Sequence, residues 1–203
     1  QVWQAVDTKS DHATRAGAVN TVVFNEDGTM YGDNTDGIGL CRDLVDNNGI
    51  ELKGKRLLLL GAGGAARGVI EPLLSYQPSE LVIANRTASK AQDLAKLFAE
   101  FGPVSGGGYD EVSGSFDVII NATAASLQGE VPPLADDILS VGASCYDMMY
   151  SNEDTAFITW AKQHGAEKTV DGLGMLAEQA AEAFRIWRGV KPKTKTVIEE
   201  IRG

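Results

Sequence analysis

A doubly wound α/β fold built on a parallel sheet is predicted by three features of this 203-residue chain. From Lys55 onward, apolar strand-like runs and helix-like runs alternate over roughly 110 residues, as in βαβ units. The run "RLLLL" (Arg56 to Leu60) is apolar without interruption, which suits a strand covered on both faces. It leads directly into "GAGGAARG", a glycine-rich turn that opens a helix.

The elements follow in order. Residues 2–15 read as a helix ending at Gly17. "AVNTVVFNEDGTMYGDNTDG" reads as a hairpin, with Val19, Val22, Val23 and Phe24 as strand residues and Asp27-Gly28 as the turn. "DGIGLCRDLVDNNG" reads as a helix with Ile38, Leu40, Leu44 and Val45 on its inner side, stopped near Asn48-Gly49. After "RLLLLG" come the helix "GAARGVIEPLLS", the strand "ELVIAN", the helix "SKAQDLAKLFAEF" and the strand "FDVIINAT". A further strand lies within "VGASCYDMMY", and "TAFITWAKQHG" is a helix. "GPVSGGGYDEVSG" reads as a glycine-rich loop, and the residues from Gly172 on as helices without a strand.

Composition limits the functions open to such a fold. Hydrophobic residues make up 43% of the chain, enough for a substantial core. A formal net charge of -10 and a pI near 4.7, with no basic stripe, argue against a nucleic-acid partner. No apolar run reaches the ~18 residues of a membrane helix, and the start shows no secretory pattern. Cys41 and Cys145 sit in apolar surroundings as small buried residues, so a cytoplasmic protein with free thiols is expected. His12 and His164 lie far apart without a ligand pattern, and no metal site is expected.

The turn Gly61-Ala62-Gly63-Gly64-Ala65-Ala66 fits G-x-G-x-x-A between a strand and a helix. The first glycine permits the tight turn, the second allows a pyrophosphate to approach, and the small last residue lets helix and strand pack. Free N–H groups at the helix start then hold the phosphates. This predicts a Rossmann-type dinucleotide site. The next strand ends in Asn85, where NAD sites usually place an acid for the ribose hydroxyls. Arg86 follows with a planar cation suited to a 2′-phosphate, Thr87 adds a hydroxyl, and Lys90 lies one turn on. Charge-assisted hydrogen bonds contribute about 1.5–3 kcal/mol each, so two of them would favour NADP over NAD by roughly a hundredfold or more. The cofactor expected is NADP.

Three further polar clusters are not demanded by the fold. Asn20 interrupts an apolar strand, and Asn34, Thr35 and Asp36 follow the hairpin, where the competing reading of Asp36 is a plain cap of the next helix. "YDMMY" (Tyr146 to Tyr150) ends a late strand, at the sheet edge that faces the ligand crevice in open α/β sheets. "DGLGMLAEQAA" opens a helix with Gly172, Gly174 and Met175, and Gln179 lies one turn inside.

The ordered stretches "GAVNT", "GDNTDGIG", "GAGGAARG", "NRT", "INAT", "CYDMMY" and "DGLGMLAEQAA" resemble the shikimate dehydrogenase family over almost the whole chain. The resemblance implies NADPH-dependent reduction of 3-dehydroshikimate to shikimate, on the route to aromatic amino acids. It implies that Asn20 and Asp36 bind substrate hydroxyls, that Asp36 is half of a catalytic Lys–Asp pair, and that Tyr150 and Gln179 contact the substrate. Gly61, Ala62, Gly63, Gly64 and Ala65 would cradle the pyrophosphate. Asn85, Arg86, Thr87 and Lys90 would take the adenosine phosphate end, and Met148, Gly172 and Met175 would line the nicotinamide.

It further implies three segments. Residues 1–36 are the end of a substrate domain, 37–171 the NADP-binding domain, and 172–203 helices returning to the substrate domain. The family pattern has a serine where this chain has Ala124. Its catalytic lysine belongs to a Pro-x-Lys motif that Lys9 does not carry, and the chain opens on Gln1. A truncated form lacking that lysine, with weak turnover, is therefore expected. The expected partner is a small molecule, shikimate or 3-dehydroshikimate, and the expected assembly is a monomer or homodimer. The competing readings are a relaxed quinate/shikimate dehydrogenase and a non-catalytic NADP-binding module.

Overall fold

A computed structural model describes residues 2–202. Its central feature is a six-stranded sheet formed by β4 (Arg56–Leu60), β5 (Glu80–Ala84), β6 (Val104–Gly107), β7 (Phe116–Asn121), β8 (Leu139–Asp147) and β9 (Lys168–Val170). The order is β6-β5-β4-β7-β8-β9 and every pairing is parallel. The order reverses between β4 and β7, the switch point at which open α/β sheets bind ligands. Leu57 and Leu59 of β4 enter one core and Leu58 and Leu60 the other, all fully buried, which is why the strand reads as unbroken leucine.

The helices are α1 (Val2–Ala5), α2 (Asp11–Ala16), α3 (Asp36–Arg42), α4 (Gly64–Ser75), α5 (Ala88–Phe98), α6 (Ala156–Gln163), α7 (Leu173–Arg188) and α8 (Lys195–Arg202). A π turn at Asp43–Asn47 extends α3. A small separate sheet, β1-β3-β2, is made of β1 (Thr8–Lys9), β2 (Thr21–Phe24) and β3 (Met30–Asp33). The hairpin β2–β3 is antiparallel and in the expected place.

Three local readings change. The single helix expected over residues 2–15 is split into α1, β1 and α2. Asp7 N and Ser10 N donate to Met30 O and Gly32 O (both 2.9 Å), pulling the intervening residues onto β3. Ser10 Oγ then accepts from Ala13 N (2.9 Å) and restarts the helix. The stretch expected as a glycine-rich loop contains the edge strand β6. A Cβ on Gly106 would lie 2.3 Å from the Ala91 carbonyl, so glycine is used there to let α5 lie on the strand, not to loosen the chain. Lys168–Val170, where no element was expected, is β9, a short edge strand beside β8.

The packing of α3 fixes one wall of the site. Pro72 lies inside α4 and has no N–H to give the Gly68 carbonyl. Gly37 sits against both: a Cβ there would be 2.3 Å from Pro72 Cγ and 2.7 Å from Gly68 O. Gly39, on α3's other side, stands as close to Gln179 of α7 (2.7 Å to Cβ). Gly37→Ala is expected to cost about 1–3 kcal/mol by overpacking, lowering the Tm by roughly 2–10 °C. A thermal unfolding scan checks this, and an unchanged Tm would contradict the close approach.

Beneath this wall the buried Asp43 accepts from Tyr146 Oη (2.6 Å), Asn47 Nδ2 (2.8 Å) and Asn48 Nδ2 (3.2 Å), tying the π turn to β8. Trp187 Nε1 donates to Val22 O (2.9 Å), so α7 also reaches the small sheet.

Candidate active site

The carboxyl ends of β4 and β5 carry the predicted cofactor residues side by side, since Leu60 and Ala84 are partners in register. Gly61 has φ +109°, a conformation open to glycine, and a Cβ on it would meet Thr123 Cγ2 at 3.1 Å and the Ala122 carbonyl at 3.2 Å. Gly63 precedes α4 in an extended conformation with no side-chain cap, which leaves the first N–H groups of α4 to an outside acceptor. Gly63, Gly64 and Ala65 are exposed, and a Cβ on either glycine would meet nothing within 4 Å. Bare donors with open space in front of them fit a pyrophosphate.

Beyond β5, Asn85 Nδ2 donates to Thr87 O (3.0 Å) and closes the turn in which Arg86 lies. Thr87 is the N-cap of α5, and its hydroxyl caps nothing. Arg86, Thr87 and Lys90 are exposed, and among the described residues neither Arg86 nor Lys90 has an ion-pair partner. With no carboxylate at the end of β5, these donors suit a phosphate on the adenosine ribose.

A second group of predicted residues gathers in one cleft of about 200 Å³, lined by Asn20, Asp36, Met148, Tyr150, Gly172, Met175, Leu176 and Gln179. They come from the residue before β2, the first residue of α3, the segment after β8, and the N-cap and first two turns of α7. Asn20 Nδ2 donates to Asp36 Oδ1 (2.8 Å), and Asp36 N donates to Asn34 Oδ1 (3.1 Å). Burial raises the Asp36 carboxyl above its ordinary value, and the Asn20 and Asn34 hydrogen bonds only partly oppose this. Among the described residues no lysine or arginine pairs with Asp36.

Gly172 has a packing role as well as a lining one, because a Cβ there would be 2.3 Å from the Met148 carbonyl. Leu176 was not expected in the cleft; it lines the wall one turn before Gln179. Thr35 is fully buried, and its hydroxyl lies 3.3 Å from both Asn20 Oδ1 and Gln179 Oε1, joining two of the predicted substrate contacts. Its place inside "GDNTDG" was the only sequence signal for that role.

The two cysteines are buried, and burial pushes both thiols up to about 12. Among the described residues no helix is long and apolar enough to cross a membrane. Nor, among the same residues, does any cluster of three or more His, Cys, Asp or Glu side chains form a metal site.

A glycine turn with uncapped donors at the switch point, sharing its sheet edge with a polar cleft that holds a half-buried carboxyl, suits a nicotinamide-dependent oxidoreductase. Comparison with known proteins narrows this. Residues 43–128 match the family described as Shikimate / quinate 5-dehydrogenase, and residues 172–202 match the Shikimate 5'-dehydrogenase C-terminal domain. The shikimate dehydrogenase (NADP(+)) of Alkalilimnicola ehrlichii is 55% identical over 202 residues, an alignment covering 100% of this chain and 74% of that one. The crystal structure of an Ael1 enzyme from Pseudomonas putida superposes with a TM-score of 0.91 at 44% identity, over 98% of this chain and 73% of that one. Shikimate 5-dehydrogenase from Thermus thermophilus, solved with NADP(H) and shikimate, gives 0.83 at 34% identity, over 97% and 72%. The chain belongs to the NADP-dependent shikimate dehydrogenase family.

Proposed function

We propose that the protein catalyses the NADPH-dependent reduction of 3-dehydroshikimate to shikimate. The observation that carries this is the convergence of Asn20, Asp36, Tyr150 and Gln179, distant in sequence, on one cleft that Met148, Gly172 and Met175 also line. Bound NADPH supplies the hydride. Gly61 to Ala65 hold its pyrophosphate, and Asn85, Arg86, Thr87 and Lys90 its adenosine phosphate end.

The protein's own part is position and proton handling. A reduced carbonyl carbon leaves charge on its oxygen, and a proton must reach that oxygen from a group within hydrogen-bond reach. Asp36, with its carboxyl raised by burial, holds a proton more readily than a solvated aspartate. It is read as one half of the acid–base pair, with a lysine as the other half by family resemblance. Asn20 keeps Asp36 oriented through its 2.8 Å hydrogen bond and, with Tyr150 and Gln179, offers hydrogen bonds to ring hydroxyls. Leu176 and the two methionines give the cleft an apolar wall that limits water.

The division into residues 1–36, 37–171 and 172–203 belongs to this reading. It is supported by the separate small sheet and by the return of α7 to β2 through Trp187. A cytoplasmic protein fits the buried free thiols, and a monomer or homodimer belongs to the same reading.

Tyr150→Phe and Gln179→Ala test the cleft. Loss of one neutral hydrogen bond of about 0.5–1.5 kcal/mol weakens a ligand roughly 2- to 13-fold. Each variant is expected to weaken shikimate by that factor in calorimetry and to leave NADP unchanged. Unchanged shikimate affinity in both would refute the assignment.

A further inference from the structure

The cofactor turn and the substrate cleft meet at a polar junction to which neither the chemistry above nor the sequence patterns give a role. β7 and β8 end together, with Asn121 and Asp147 partners in register and both fully buried. Asn121 Nδ2 lies 3.0 Å from Asp147 Oδ1 and 3.0 Å from Ser126 Oγ. Asn121 Oδ1 accepts from Thr123 N (3.2 Å) and Thr123 Oγ1 (2.7 Å). Asp147 Oδ1 also accepts from Met149 N (3.1 Å), and Asp147 Oδ2 from Thr155 Oγ1 (2.6 Å). Thr155 in turn caps α6, its hydroxyl accepting from Ile158 N (3.2 Å).

Followed one way, these bonds reach Thr123, whose methyl group stands where a Cβ on Gly61 would meet it at 3.1 Å. Followed the other way, they reach Met149, between the cleft residues Met148 and Tyr150. An ionisable group is costly to bury, and three converging donors are what offset that cost here. Oδ1 serves two of these donors and Oδ2 the third. Burial raises the Asp147 carboxyl, and the hydrogen bonds from Thr155, Met149 and Asn121 oppose the rise.

We propose that Asp147 is a positioning residue that holds the turn after β7 against the cofactor's glycine turn and, through the same carboxyl, holds the Met148–Tyr150 segment in the substrate cleft. This rests on the cofactor and substrate sites assigned above. The discriminating variants are Asp147→Ala and Asp147→Asn. The asparagine keeps an acceptor toward Asn121 and Met149, and its amide can donate to Thr155 Oγ1. The alanine orphans all three donors.

The Kd values for NADP and for shikimate are measured separately by calorimetry, well below each variant's melting temperature. Asp147→Ala is expected to weaken both ligands at least tenfold, and Asp147→Asn to stay within about threefold of the unsubstituted protein for both. A folded Asp147→Ala that melts earlier but binds both ligands normally would make the residue merely structural and overturn the proposal. An Asp147→Asn as impaired as Asp147→Ala would overturn it too. If the alanine variant does not fold, Asn121→Ala decides, because it cuts only the arm toward Thr123. It is expected to weaken NADP at least fivefold with shikimate within twofold, and unchanged NADP affinity overturns the proposal. Absence of shikimate binding by the unsubstituted protein would count against the substrate reading alone, and the NADP measurements would still decide the role of Asp147.

Discussion

Asp36→Asn is expected to lower shikimate-dependent NADPH formation by about 10²–10⁴, the usual contribution of a general acid–base group, without lowering the Tm. The two halves of this expectation have one cause. Asp36 is drawn into the cleft far enough for burial to raise its carboxyl above the ordinary 3.8. A carboxyl whose folded value is raised contributes stability that is complete below its unfolded value and is lost as pH rises through the folded value. At neutral pH the ionised Asp36 therefore weighs against the fold. The amide of asparagine removes that burden and cannot exchange the proton. Asn20 Nδ2 can still donate to its side-chain oxygen, and the backbone N–H of residue 36 keeps its bond to Asn34 Oδ1. Asp43 and Asp147 are raised by burial as well, so they add to stability in the same direction as pH falls. Paired thermal scans and initial rates on one preparation check the expectation. A large loss of Tm alongside the loss of rate would make Asp36 a structural residue.

Arg86→Ala is expected to weaken NADP by about 10- to 100-fold and NAD by less than about twofold. The range follows from one or two charge-assisted hydrogen bonds at about 1.5–3 kcal/mol each, discounted for an exposed site. The selectivity follows from place. Arg86 projects from the turn that Asn85 closes, beside the uncapped start of α5, and no carboxylate at the end of β5 competes for it. In the proposed cofactor site, removing it takes away a contact that only the 2′-phosphate would use. Raising the salt concentration should reduce the NADP preference of the unsubstituted protein in the same sense. Equal weakening of the two cofactors would show that Arg86 supports the turn instead of reading the phosphate.

The parts of this molecule legible in the sequence are those with a strong local cause. β4 declared itself by unbroken leucine, and the glycine turn by its strand before and helix after. α4 starts and ends at the residues its pattern marked, in spite of Pro72. What stayed hidden depended on partners far along the chain. β6 looked like a loop because its Gly106 answers to the backbone of α5, which no local pattern records. β1 vanished into a helix because its pairing with β3 is a tertiary event more than twenty residues away. The site divides in the same way. Asn20, Asp36, Tyr150 and Gln179 were visible as polar residues out of place, and the fold brings them to one cleft. Asp147 and Thr35 were given no role of their own, since each is fully buried and acts by holding other groups. Nothing in a single sequence separates such a residue from an ordinary polar position.

The cleft between Asp36 and Gln179 is, on this account, where shikimate exchanges hydride with NADP. The most direct measurement is the rate of NADPH formation from NADP as shikimate is added, followed by NADPH absorbance in the unsubstituted protein and in Asp36→Asn side by side. The rate is expected to saturate with shikimate in the first and to be lower by at least about a hundredfold in the second. No shikimate-dependent rate in the unsubstituted protein, or the same rate in both, would contradict it.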